Sequence, residues 1–132
     1  MNEIKRLSVK EIIDETVDYY KTHLRGSNDE RCFYFAEYHG LEEPVMCAIG
    51  RCLISPRDFE HVTKSVTFLA QTKGLTNFDE LLKPEYHGHP TVFWAGLQFF
   101  HDKSCYWIKT ETGNEVSATG KKELASLMRE FK

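Results

Sequence analysis

Val9, Ile13, Val17, Tyr20 and Leu24 recur three or four positions apart, an apolar stripe that predicts a helix with one face turned to a core. Ser8 and Glu11 just ahead of it form a capping box, the serine accepting from a first-turn amide and the glutamate reaching back. Gly26, Ser27, Asn28 and Asp29 then supply the stop. The pattern changes at Cys32, Phe33, Tyr34, Phe35 and Ala36, where aromatics crowd as they do in strands. Val45, Met46, Cys47, Ala48 and Ile49 follow Pro44 as a second strand candidate. His39, Gly40, Leu41, Glu42 and Glu43 read as the turn between them. The economical expectation is a hairpin pairing 31–37 with 45–49, which needs helices packed on it because a lone hairpin is marginal in water.

Ser55 and Pro56 open the next helix, with proline at a first-turn position where its missing N–H costs nothing. Phe59, Val62, Val66 and Leu69 carry that pattern on to Gly74. Thr76 and Asn77 begin a shorter helix holding Leu81 and Leu82, and Pro84 closes it. Residues 86–90 form a loop into a helix over 91–102, with Phe93, Leu97 and Phe100 on its buried stripe and Trp94, Gln98 and His101 on the adjoining face. Leu124, Leu127, Met128 and Phe131 mark a C-terminal amphipathic helix capped near Thr119. Between these last two helices, Tyr106, Trp107 and Ile108 fit a short strand or a packed loop, ahead of a turn at Thr112, Gly113 and Asn114. The class these elements predict is α+β: a helix-rich single domain over 1–132, with a β-hairpin packed by the N-terminal helix and three or four later helices.

Composition adds limits rather than a function. A chain of 132 residues, 41% hydrophobic, is long enough for one core and too short for two. The formal net charge of -3, with both signs interspersed, offers no basic stripe for duplex nucleic acid. Lys64, Lys73, Lys83 and Asp102 interrupt every apolar run before it reaches membrane-spanning length. The polar start over 1–6 lacks the apolar stretch of a secretory signal, so the expected setting is cytoplasmic and the four cysteines, Cys32, Cys47, Cys52 and Cys105, are expected as reduced thiols.

Three places invite chemistry. Gly50 and Arg51 sit where the second strand candidate gives way to a helix, so unpaired backbone N–H groups beside a guanidinium would suit a phosphate or carboxylate. The alternative is that Gly50 only turns the chain, Arg51 pairs with a surface acid and Cys47 and Cys52 pack. A cysteine nucleophile would draw on Cys47 or Cys52 with His101 and Asp102, but neighbouring helical side chains diverge by about 100°, which argues against Asp102 orienting His101. Zinc would draw on His87, His89, His101 and the cysteines, without the paired close spacing of a zinc site. No phosphate-binding loop, dinucleotide fingerprint, serine elbow or His-Glu-x-x-His motif is present.

The runs Cys47-Ala48-Ile49-Gly50-Arg51-Cys52-Leu53, Leu82-Lys83-Pro84-Glu85-Tyr86-His87-Gly88-His89 and Phe93-Trp94-Ala95-Gly96-Leu97-Gln98, followed by His101-Asp102, resemble a group of small proteins common in phages. The resemblance covers roughly 32–107. It implies a phage or prophage origin and brings no activity with it; small phage proteins of this kind often bind a host factor, block a defence system or sequester a signal molecule.

The sequence therefore predicts a non-enzymatic accessory binding protein, acting on a host protein or holding a small anionic, nucleotide-like ligand. Arg51, His87, His89, Trp94, Gln98, His101 and Asp102 are the candidate ligand-binding residues, since a loop and one helix face would unite aromatic and polar groups. No catalytic residue, metal ligand or cofactor is assigned. The rival reading is a small cysteine- or metal-dependent hydrolase, and a third is an assembly partner with a large exposed apolar patch.

Overall fold

The computed structural model describes residues 5–23, 34–37, 40, 43–60, 62, 65–75 and 77–131. The expected stop at 26–29, Cys32 and the rest of 31–33, His39, Leu41, Glu42 and Thr76 lie outside them. Helix α1 spans Val9–Tyr20, α2 Val66–Thr72, α3 Thr91–Asp102 and α4 Ala118–Glu130, with strands β1 at Trp107–Lys109 and β2 at Asn114–Val116. Helices α2 and α4 pack on α3, while β2 lies against α1 and α4. This is a helix-rich α+β domain.

Local chemistry explains the helix starts. Ser8 and Glu11 cap each other's backbone amides at 3.0 and 3.1 Å, as the sequence predicts. The far end of α1 is closed from across the chain. Asn114 Nδ2 donates to the carbonyls of Tyr20 and His23 at 3.0 and 2.9 Å, giving orphaned C=O groups the partners they need. Gly113 makes the approach feasible, because a Cβ there would lie 2.3 Å from the Lys21 carbonyl oxygen.

The hairpin is not where the aromatic runs predict it. Among the described residues, Ala36 and Val45 are joined by a single antiparallel bridge, and Phe35 pairs instead with Glu60. The hairpin lies at β1 and β2, which pair antiparallel with Trp107 opposite Val116. The expected helix over 56–74 is also two elements. Pro56–Phe59 is a short 3₁₀ turn, Glu60 leaves helical geometry, and Ser65 starts α2 afresh by accepting from the Phe68 amide. Helix α4 is capped by Ser117, just ahead of the expected Thr119.

Trp94, Tyr20, Tyr34, Phe78, Phe93 and Phe100 are fully buried and anchor one continuous core. Both faces of α3 that the sequence distinguished are inside it, the Trp94, Gln98 and His101 face included. In α1 the buried arc is shifted: Ile12 and Thr16 are inside and Val17 is only half-buried. Thr16 tolerates burial because its hydroxyl donates to the Ile12 carbonyl at 2.7 Å and accepts from Arg51.

Candidate functional site

Arg51 arises from the 3₁₀ turn Gly50–Cys52 and carries its charge inward, with a side chain only 8% exposed. A charge so placed needs close partners. Its guanidinium donates to Glu15 Oε1 at 2.5 Å, to Thr16 Oγ1 at 2.7 Å and to the Tyr86 hydroxyl at 3.3 Å. Tyr86 in turn donates to Glu15. Burial pushes the Glu15 carboxyl up, but the bonds from Tyr86 and Arg51 outweigh it and hold the group below the usual carboxylate value. Burial raises the Tyr86 hydroxyl, so it stays a donor.

The turn that carries Arg51 holds no spare amides for an anion. Gly50 N bonds Cys47 Sγ, Arg51 N the Cys47 carbonyl and Cys52 N the Ile49 carbonyl. Gly50 is also walled in, since a Cβ there would fall 1.9 Å from the Tyr34 carbonyl oxygen. Of the two sequence alternatives for this segment, the packed one is nearer: Cys47 and Cys52 are buried and Arg51 pairs with an acid, but the pair lies inward and not at the surface. The Cys52 thiol is directed at the Ala48 carbonyl and is pushed up to about 12 by burial, so it remains protonated at neutral pH.

The remaining candidates divide into neighbourhoods. Tyr86 links Arg51 to Trp94, the two rings meeting edge-on at 6.1 Å, and His89 lies 6.3 Å from Trp94. His87 Nε2 contacts the Leu82 carbonyl and His89 Nε2 the Leu7 carbonyl, each at 2.8 Å. A carbonyl only accepts, so both Nε2 atoms carry the proton and both histidines clamp the loop to its neighbours. Gln98 accepts from the first amide of α2 at 2.8 Å and donates to the Tyr34 hydroxyl at 2.9 Å. His101 packs beside Tyr20 and its Nδ1 meets Asp102 Oδ1 at 2.9 Å. That contact corrects the helix-geometry expectation that Asp102 cannot orient His101. Among the described residues no group of three or more His, Cys, Asp or Glu is placed to hold a metal ion.

An open concavity among the described residues lies elsewhere, between α1, β2 and α4, with a volume of about 590 Å³. Its apolar floor is Ile13, Val17, Val116, Leu124 and Met128. Asp14, Glu15 and Asp18 stand along the α1 wall, Lys21 at its end and Lys121 on the α4 wall. Glu15 therefore belongs both to the groove and to the Arg51 network, which fixes the α1 wall from behind. Sequence reasoning put Ile13, Val17, Leu124 and Met128 into helix stripes, left Val116 unassigned and did not select these acids. The signal it had was Thr16: a polar residue on the buried arc turns Val17 outward. No helix among the described residues is long and apolar enough to cross a membrane.

No protein-family model matches the chain, and no curated protein or solved structure matches it.

Proposed function

We propose that this chain is a small accessory binding protein that takes a segment of a partner protein into the groove between α1, β2 and α4. The observation that carries the reading is the groove itself, where the half-buried Val17, Val116 and Met128 lie between charged side chains. Apolar area that a fold leaves open in a concave site is where burial against a partner yields the most free energy. The resemblance to small phage proteins supports a phage-encoded origin and a host protein as the partner. A small anionic ligand at Arg51 finds less support, because Glu15, Thr16 and Tyr86 already occupy that guanidinium. A cysteine hydrolase built on Cys52 is disfavoured by its protonated, buried thiol.

The test compares captures rather than relying on one. Wild-type protein, Val17→Arg, Met128→Arg and a control, Val92→Arg, are immobilised and exposed to host lysate. Val92 is 62% exposed on α3, outside the groove. A protein retained by the wild type and the control but lost from both groove variants supports the reading. Equal retention by all four overturns it.

A further inference from the structure

Helix α3 carries no charge on its outer face. From Thr91 to His101 it holds no Asp, Glu, Lys or Arg, whereas the exposed positions of α1 include Lys10, Asp14 and Asp18 and those of α4 include Lys121, Lys122 and Arg129. A helix that is apolar all round belongs inside a larger body. The inward side of α3 is buried in the core, yet Val92 is 62% exposed and Phe99 48%. The fold of one chain therefore leaves two large apolar side chains of this helix uncovered. Neither lines the groove between α1, β2 and α4.

Val92, Ala95, Gly96 and Phe99 share the outer face, spread over two turns or about 10 Å. Their order is symmetric, with a large side chain at each end and the small, half-buried Ala95 and Gly96 at the midpoint. Laid antiparallel on itself about that midpoint, the face sets Val92 of each copy against Phe99 of the other. The small centres meet and let the two helix axes approach. A patch that complements itself in this way is what a two-fold contact requires.

Charge agrees with that alignment. No like charges meet along the face, and Lys103, whose ammonium lies 5.3 Å from the Phe99 ring, stands at its rim. Asp102 and Thr91 lie on the same flank of α3, so the antiparallel arrangement brings Asp102 of each copy beside the start of the other copy's helix. That start has Pro90 as its cap and no side-chain hydrogen bond, while α1, α2 and α4 are each capped by a serine. A carboxylate is favoured beside a helix N-terminus. Area sets the strength: half of an aromatic side chain is about 100 Å². One helix face therefore falls short of the ~800 Å² per partner of a standard interface, and the contact is weak and reversible.

We propose that the outer face of α3 pairs with the same face of a second copy of this chain, antiparallel about a two-fold axis at Ala95 and Gly96.

Sedimentation from about 5 µM to about 1 mM spans the association expected of a small interface. The wild-type mass is expected to rise from one chain towards two. Val92→Glu and Phe99→Glu should each weaken association at least about tenfold, because a symmetric contact then encloses two unpaired carboxylates. Both side chains are exposed, so both variants keep the fold, and a thermal melt checks it. Alignment is read by trapping. In a Cys105→Ser background, which removes the exposed thiol, Val92→Cys and Phe99→Cys are oxidised with copper phenanthroline, separately and mixed. The mixture should give more disulfide-linked dimer than either variant alone. A wild type that keeps the mass of one chain throughout overturns the proposal, as does undiminished association of the two glutamate variants. A higher yield from either cysteine variant alone overturns it too, because positions 92 and 99 then do not meet. Host capture through the groove is scored on other residues, so the two readings stand or fall separately.

Discussion

Replacing Arg51 by methionine keeps much of the side-chain volume and removes three hydrogen bonds and one buried charge. Glu15 loses a 2.5 Å partner, Thr16 a 2.7 Å donor and Tyr86 a 3.3 Å donor. These losses are unequal. Thr16 still donates to the Ile12 carbonyl, so its change is small. Glu15 keeps the Tyr86 hydroxyl and is 40% exposed, so water takes up part of its lost solvation. The cost should therefore fall below the ~3–5 kcal/mol typical of a fully buried pair broken on one side, at about 2–3 kcal/mol. For a domain of this size that is a melting temperature lowered by about 10 °C.

The pH dependence makes the test specific. In the wild type the Glu15 carboxyl is held below its ordinary value. Its stabilisation is thus complete above the unfolded carboxylate value of about 4.3 and is lost as pH falls through the lower folded value. Without Arg51 the bond and the charge that help hold the carboxyl down are gone, so it sits nearer its unfolded value and less stabilisation is lost on acidification. The variant then gains stability, relative to wild type, as pH falls from neutral towards the carboxylate range. Urea unfolding of wild type, Arg51→Met, Glu15→Gln and the double variant at pH 7 and pH 4 measures both effects. A destabilisation under about 0.5 kcal/mol at pH 7 would refute the argument that Arg51 is a paired internal charge, because that is the scale of an ordinary surface change. A gap that widens rather than narrows at pH 4 would refute the assignment of the pH dependence to Glu15.

Asn114→Ala should cost about 1–2 kcal/mol, since it frees the Tyr20 and His23 carbonyls at the end of α1, and hydrogen exchange should quicken in the last turn of that helix first. Uniform acceleration along the chain would count against this role. Cys105 is exposed and Cys47 and Cys52 are buried, so a thiol reagent at neutral pH should modify Cys105 rapidly and Cys52 only after unfolding, as peptide mapping would show. Rapid modification of Cys52 in the native protein would contradict the environment described for it.

The elements legible in the sequence were those whose signals are local. Ser8 with Glu11 and the spacing of Val9, Ile13 and Tyr20 needed only one turn of neighbours, and α1 starts where they put it but ends at Tyr20, short of the Leu24 that the stripe included. The misplaced hairpin shows the limit. Aromatic runs such as 32–36 report burial, and burial alone does not require a sheet. Trp107–Lys109 and Asn114–Val116, short and more polar, pair because their turn must reach the end of α1 through Gly113 and Asn114. That need is written ninety-odd positions away from the strands that answer it, as the spacing of Asn114 and Tyr20 shows.

The same distance hid the groove. The arginine in the apolar run 47–53 was not read as a buried charge, and its carboxylate stands 36 positions earlier, among helical acids that look alike in sequence. With Glu15 bonded to Arg51 and Thr16 drawn under it, α1 is held with Ile12 turned in and Val17 turned to the groove. Each polar bond inside the fold thereby decides which apolar side chain is left outside it. If that coupling holds, Thr16→Val, which removes the polar claim on the buried arc, should relax the preference between Val17-in and Val17-out. It should also weaken capture of a groove-bound partner more than its effect on global stability accounts for. Loss of capture that merely tracks unfolded fraction would place the rotation of α1 in its packing against the core instead, with Arg51 following rather than setting it.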